Sequence, residues 1–234
     1  MTDAVRFWAV IPAAGTGSRM QTDLPKQYLS IHGRRVIEYS LETFCTHPQI
    51  AGVIVALAPG DKLWEGLAYA KHPKVRTASG GQERCHSVLN CLHTLSTVAG
   101  TEDWVLVHDA ARPCIKGEDI EHMIATLRNH PVGGLLALPV RDTMKRADIG
   151  RGQGQHVSET INRQGLWHAL TPQMFRLGRL SQALEQAIQA GQLVTDESQA
   201  MELAGLSPRL VEGRAENIKI TRSSDLKLAE MYLS

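Results

Sequence analysis

A chain of 234 residues with 43% hydrophobic and 21% charged residues has the balance of a globular protein, long enough for a single α/β domain over 1–234. Its 25 Lys and Arg against 24 Asp and Glu give a net charge of +1, which excludes the broad basic field of a nucleic-acid or anionic-membrane binder, so any anion site must be local. Cys45, Cys85, Cys91 and Cys114 form neither a CxxC pair nor a zinc-finger spacing, and no apolar run reaches the roughly 18 residues of a membrane span. The expectation is a cytoplasmic protein.

The first apolar run, FWAVIP at 7–12, reads as a strand buried on both faces. The turn that follows, AAGTGSRM, places Gly15 and Gly17 where the backbone bends tightly and can approach a ligand, with N–H groups turned to anionic oxygens. Arg19 and Lys26, on either side of the helix-breaking Pro25, supply positive charge beside that cradle. The turn is neither a P-loop nor a dinucleotide fingerprint, since Met20 stands at the third glycine position and the acidic residue expected about 20 positions on is missing.

Further along, VIEYSLETFCTH has helical spacing and GVIVAL at 52–57 is a second buried strand. In SGGQERCHSV at 79–88, Gly80, Gly81 and Ser87 could line a nucleobase or ribose, or simply start the helix ERCHSVLNCLHTL with a glycine near its cap. A strand over WVLVHD at 104–109 brings His108, Asp109 and then Arg112 to its carboxyl end. A carboxylate there, facing phosphates, suits a Mg²⁺ ion that takes its other ligands from substrate and water, whereas His108 reads as a packed histidine. The helix DIEHMIATLRNH and the strand GLLALPV at 134–140 follow, and residues 141–165, polar and broken by Gly150, Gly152 and Gly154, read as a long hairpin. Because an isolated two-stranded hairpin is marginal in water, a twin subunit is its expected partner. Helices at 180–190 and 196–205, a strand at 209–213 and a closing helix from Asp225, capped by Ser223 or Ser224, complete the chain.

Strand and helix alternation of this kind implies right-handed crossovers and a doubly wound α/β fold with a mostly parallel, Rossmann-like sheet, from which the hairpin projects as an arm. Ligands of such sheets lie beyond the carboxyl ends of the strands.

Eight segments, PAAGTGSRM, PKQYL, GGQERCHSV, HDAARP, PVRDTMKR, LWHALTPQ, TDE and EGRAENIKIT, occur in the order of one family. Over about Val10 to Tyr232 the chain resembles the 2-C-methyl-D-erythritol 4-phosphate cytidylyltransferases of the non-mevalonate isoprenoid pathway. The resemblance implies a nucleotidyltransferase fold and a Mg²⁺-dependent reaction of CTP with methylerythritol phosphate that releases pyrophosphate. It further implies that Arg19 and Lys26 stabilise the transition state, that Ala13, Ala14, Gly15, Gly17, Gly80, Gly81, Ser87 and Ala110 hold CTP, and that Asp109 meets metal or substrate. By the same carry-over the arm embraces a second subunit in a homodimer, so that Thr143 and Arg163 complete the neighbour's site, with Arg112, Thr171, Thr195 and Lys219 near the sugar phosphate. Arg163 and Lys219 would position the nucleophile. Gln82 departs from the acidic residue of some relatives, which leaves a side-chain role there open. On the residues alone, Lys219 reads equally as an exposed strand residue between core-facing Ile218 and Ile220.

A phosphate monoester, with a second pKa near 6, is largely a dianion at neutral pH and needs no general base. Cations and positioning must therefore carry such a transfer. The alternatives are a ribitol-5-phosphate cytidylyltransferase, which would share cradle and arm, a nucleotide-binding oxidoreductase, against which Met20 and the missing acid argue, and a non-catalytic nucleotide-binding protein.

Overall fold

The computed structural model describes residues 5–15, 24–148 and 156–234. The first apolar run forms β1 (Phe7–Pro12); after a short antiparallel pair, β2 (Ser30–Ile31) and β3 (Arg34–Arg35), comes β4 (Ile50–Leu57), and β1 lies parallel to β4 on one side and to β6 (Trp104–Val107) on the other. Beyond β4 lies β5 (Val75–Ser79); beyond β6 lie β10 (Trp167–Arg176), β7 (Gly133–Pro139) and β11 (Arg209–Glu212). The order across this seven-stranded sheet is β11-β7-β10-β6-β1-β4-β5, and β10 alone runs antiparallel to its neighbours.

Alternation along the strands divides the core in two, because successive side chains leave a strand on opposite faces. Ala9 and Ile11, with Val53, Val55 and Leu106, face Ile37, Leu41 and Phe44 of α1 (Val36–Thr46) and Ile120, Met123 and Leu127 of α3 (Gly117–Leu127). Trp8 and Val10, with Ile54, Val105, Val107 and Phe175, face Val88, Leu92 and Leu95 of α2 (Arg84–Leu95), Leu180 and Leu184 of α4 (Leu177–Gln189) and Met201 of α5 (Glu197–Leu203). Helices on both faces are what the near-continuous apolarity of β1, β4 and β6 requires. A third, smaller cluster, with Ile31, Val36, Ile220 and Ala229, lies under α6 (Ser223–Tyr232).

Several expectations change in detail. The strand expected over 104–109 ends at Val107, so His108, whose N–H still donates to the Val10 carbonyl at 2.8 Å, and Asp109 stand past its end. The closing helix begins at Ser223 with Arg222 at the cap position, so neither Ser223 nor Ser224 caps it. The Asp225 carboxylate does that work from inside the first turn, accepting from the N–H groups of Thr221 and Arg222 at 2.8 Å each. Residues 217–220 carry no strand, so Lys219 sits in an extended connection rather than in a β element. In the arm, β8 (Met144–Asp148) and β9 (His156–Ile161) pair antiparallel and are exposed along most of their length, while Gly150, Gly152 and Gly154 lie outside the described residues.

Gly133 and Gly134 let β7 enter between β10 and β11. A Cβ on Gly134 would stand 2.1 Å from the Arg209 carbonyl oxygen, and Gly133 has φ +114°. Gly134→Ala is expected to lower the unfolding free energy by about 1–3 kcal/mol in urea titrations. An unchanged midpoint would mean that β11 docks less closely than it does here.

Candidate active site

A cavity of about 440 Å³ opens at the carboxyl ends of β1 and β6. One wall is the glycine turn after β1. Its shape is held from behind by Gln27, whose buried side-chain amide donates to the carbonyls of Ala13 (2.7 Å) and Gly15 (3.1 Å). The peptide between Ala13 and Ala14 is trans, so the Ala14 N–H points opposite to the carbonyl that Gln27 holds. Gln27 and Tyr28, both buried in the 3₁₀ turn Lys26–Tyr28, anchor the segment that brings Lys26 to the cavity.

The second glycine turn forms the facing wall and packs directly on the first. A Cβ on Gly80 would meet the Ala14 Cβ at 2.2 Å, and one on Gly81 would meet the His86 Cβ at 2.3 Å, so both positions are closed to any side chain. The Ser87 hydroxyl accepts from the Gly81 N–H at 3.0 Å and donates to the Glu83 carbonyl at 3.3 Å. Ser87 thus lines the cavity while its hydroxyl shapes the turn.

Charge converges on Asp109. Arg84 Nε donates to its Oδ1 at 3.0 Å, Lys219 Nζ lies 2.7 Å from Oδ2 and Arg112 Nε lies 3.8 Å from Oδ2. Burial on its own would push the Asp109 carboxyl up, but Arg84 and Lys219 beside it hold it well below the usual carboxylate range. Arg84 also forms a bidentate pair with buried Glu197, Nη1 to Oε1 at 2.6 Å and Nη2 to Oε2 at 3.1 Å. Burial pushes the Glu197 carboxyl up, and Arg84 opposes that shift.

Behind Asp109 a buried relay fixes the backbone. The Asp109 N–H donates to Thr171 Oγ1 at 3.1 Å, Thr171 Oγ1 lies 3.1 Å from His108 Nδ1, and His108 Nε2 lies 3.0 Å from the Arg112 carbonyl. The carbonyl can only accept, which puts the ring proton on Nε2 and makes Nδ1 the acceptor for the Thr171 hydroxyl. Arg112 Nη1 donates to the Asn217 carbonyl at 2.8 Å, and Asn217 Nδ2 donates to the Thr171 carbonyl at 2.7 Å, which ties the Lys219 segment to β10.

A family model described as 2-C-methyl-D-erythritol 4-phosphate cytidylyltransferase matches residues 7–234. The chain belongs to this family. It is 55% identical over 225 residues to the 2-C-methyl-D-erythritol 4-phosphate cytidylyltransferase of Ectopseudomonas mendocina (strain ymp), covering 95% of this chain and 94% of that one. Its fold matches a solved 4-diphosphocytidyl-2C-methyl-D-erythritol synthase with a TM-score of 0.85 at 36% identity, over 99% of both chains. It also matches the cytidylyltransferase of Francisella tularensis with a TM-score of 0.84 at 33% identity, over 97% of this chain and 99% of that one. The doubly wound nucleotidyltransferase fold expected from the sequence is the fold observed.

Of the residues singled out from the sequence, Ala13, Ala14, Gly15, Lys26, Gly81, Ser87, Asp109, Ala110 and Lys219 line the cavity together. Gly80 supports it from the packed side of the turn, and Arg112 and Thr171 stand buried behind Asp109. Thr195 is exposed ahead of α5, its hydroxyl donating to Gln199 Oε1 at 3.1 Å. Thr143 and Arg163 lie exposed at the base of the arm, with Arg163 Nη1 donating to the Arg141 carbonyl, and neither lines this chain's own cavity. Gly17 and Arg19 lie outside the described residues. Sequence reasoning missed Gln27, Arg84, Glu197 and Asn217. Arg84 carried a usable signal, an arginine directly after a glycine turn and at the start of a helix, where it gains nothing from the helix dipole.

Burial lowers the His108 pKa from 6.5 to about 4, a shift that the Arg112 carbonyl partly offsets. On acidification the unfolded chain takes up this proton first, so the stability conferred by neutral His108 is complete above about pH 6.5 and is lost as the pH falls towards 4. In urea unfolding without added divalent metal, this ring is expected to contribute about 2 kcal/mol of the stability lost between pH 7 and pH 5. His108→Gln should be less stable at pH 7 and should show a correspondingly flatter pH dependence. Parallel curves for the two proteins would contradict the buried neutral ring.

Proposed function

We propose that the protein transfers the cytidylyl group of CTP to 2-C-methyl-D-erythritol 4-phosphate, giving 4-diphosphocytidyl-2-C-methyl-D-erythritol and pyrophosphate in isoprenoid precursor synthesis. One observation carries this reading beyond family membership: Lys219, held on Asp109, shares a cavity with Lys26 and with both glycine turns. Such a cavity suits a nucleoside triphosphate on one side and a second phosphate on the other.

In this reading an oxygen of the sugar phosphate dianion attacks the α-phosphorus of CTP, and the bond to the departing pyrophosphate breaks. No proton has to move. His108 serves no general-base role, because both ring nitrogens are engaged in the buried relay. The backbone of Ala13, Ala14, Gly15, Gly17, Gly80, Gly81 and Ala110 and the turn fixed by Ser87 hold the nucleotide. Lys26 and Arg19 balance the charge that shifts onto the leaving group. Lys219 and Arg163 orient the attacking phosphate, with Asp109, Arg112, Thr143, Thr171 and Thr195 on the sugar-phosphate side. At an effective dielectric near 20, unit charges about 4 Å apart interact by roughly 4 kcal/mol, enough for one cation to decide the rate.

Mg²⁺ belongs to the same proposal. Among the described residues no group of three or more His, Cys, Asp and Glu side chains gathers for a metal, so the donor set fits an ion that draws most ligands from phosphates and water. Asp109 fits the single carboxylate of such a site: a carboxylate has about four lone-pair positions, and Arg84, Lys219 and Arg112 leave part of that capacity open. Bound there with substrate, the ion would neutralise phosphate charge.

The same reading takes 1–234 as one nucleotidyltransferase domain and residues 141–165 as the arm of a homodimer. Its exposed β8–β9 pair, with Val157 63% exposed, supports this, since such a ribbon needs a second surface. All four cysteines are buried free thiols, which supports a reducing compartment such as the cytoplasm. No described helix is long and apolar enough to cross a membrane.

Pyrophosphate release with CTP, Mg²⁺ and methylerythritol phosphate is the test. Lys26→Ala and Lys219→Ala should each lower kcat/KM by about 10²–10³-fold, and ribitol 5-phosphate should be the poorer acceptor. Preference for the pentitol phosphate, or variants as active as the wild type, would sink the reading. Sedimentation should show a dimer that Val157→Asp weakens, with activity falling as monomer accumulates; a fully active monomer would remove the arm from the site.

A further inference from the structure

We infer that Glu197, on the first turn of α5, is a positioning residue that restricts how Arg84 binds Asp109 and thereby keeps Lys219 in place, an inference that rests on the nucleotidyl-transfer reading above. Glu197 is fully buried, and a single guanidinium occupies both of its carboxylate oxygens. Its own position is fixed from two sides. Asp196 caps α5 by accepting from the Gln199 N–H at 2.9 Å. Buried Gln173 on β10 accepts from the Ser198 N–H at 2.7 Å and donates to Asp196 Oδ2 at 3.0 Å, which pins the helix start to the sheet.

An arginine fork ordinarily grips a carboxylate with two parallel N–H bonds. Next to Asp109, Arg84 could do so only by taking both carboxylate oxygens, including the Oδ2 that Lys219 holds at 2.7 Å. Each Nη keeps a second N–H, so Glu197 does not exhaust the fork; by holding Nη1 and Nη2 it fixes the plane and direction of the guanidinium, and in that orientation Nε alone donates to Asp109, to Oδ1 at 3.0 Å. Each oxygen of Asp109 then has its own nearest cation. A purely structural role explains this poorly, because a buried ion pair is generally no more stabilising than apolar groups of the same volume. What the carboxylate supplies that an apolar residue could not is the direction of the guanidinium.

Glu197→Gln removes the charge at constant shape. In pyrophosphate release it should lower kcat/KM by about tenfold or more in the otherwise wild-type enzyme, and by less than about twofold in a Lys219→Ala background. Equal fold losses in the two backgrounds would indicate a structural role and overturn the inference, as would wild-type activity of Glu197→Gln. Should that variant fail to fold, Glu197→Asp keeps a paired carboxylate on a shorter stem, and its loss must shrink in the Lys219→Ala background in the same way. A crystal structure of Glu197→Gln, or of Glu197→Asp in the same event, gives a readout independent of turnover. Arg84 turned onto both oxygens of Asp109 with Lys219 displaced is expected, and an unchanged Asp109–Lys219 pair would refute it. A wild-type enzyme that releases no pyrophosphate would instead defeat the reading of function, and the crystal structure would still decide this inference.

Discussion

The site depends on one carboxylate buried among cations. On the proposed reading Asp109 is at first sight misplaced, since an anion in a cavity that has to bind polyanions would repel them. Its value lies in order. Arg84, Arg112 and Lys219 converge on it from α2, from the turn after β6 and from the segment before α6, and without a central anion three such charges would repel one another and spread apart. With it they are held together in the free protein, so that in the proposed transfer no reorganisation would be needed when charge moves. This is how fixed charges in a partly dehydrated pocket outperform water.

That arrangement is inseparable from the fold. Strand β6 stops at Val107, and the next two residues are fixed by β10 through the Thr171 hydroxyl and His108. Thr171 can reach them because β10 enters the sheet antiparallel between β6 and β7, which brings its middle residues level with the end of β6. Gln173, two residues on, reaches the start of α5 and so fixes Glu197. One irregular strand therefore holds both carboxylates of the charge cluster, Asp109 through its backbone and Glu197 through its helix.

The parallel strands were legible because β1, β4, β6 and β7 are apolar almost throughout, and burial on both faces demands that. β10 was not: Pro172 removes a ladder donor in its centre, its register shifts between Ala169 and Gln173, and its polar residues Thr171 and Gln173 are buried because they brace the site. β5, an edge strand with the sequence VRTAS, lacked apolarity for the opposite reason, since much of it is exposed. The glycine turn after β1 could be read from its residues; its partner could be read in two ways, and the packing of Gly80 on Ala14 adds a steric reason for glycine that neither reading contained. Lys219 emerged only through family resemblance, because nothing in NIKIT separates a pocket lysine from a solvated one. Glu197 lies 113 positions from Arg84, and a pairing across that distance leaves no local pattern to find.

The distribution of titratable groups points to the kind of chemistry the cavity can perform. His108 is the histidine nearest the charge cluster, and its environment is built to keep it out of proton transfer: full burial lowers its proton affinity, the Arg112 carbonyl fixes its tautomer, and the Thr171 hydroxyl occupies its remaining nitrogen. Asp109 is held ionised far below neutral pH, so it is a poor base, because a carboxylate stabilised this strongly by Arg84 and Lys219 has little affinity for a proton. The groups that line the cavity include the two main-chain turns, the polar side chains of Gln82, Glu83, Ser87 and Thr221, and Asp109 with the cations Lys26, Arg84 and Lys219. Neither His108 nor Asp109 is suited to remove a proton from a neutral hydroxyl, and the proposed transfer requires no such step, because its attacking phosphate arrives already ionised. In the proposed transfer the choice among anions would rest on where positive charge is placed, which the geometry around Asp109 sets.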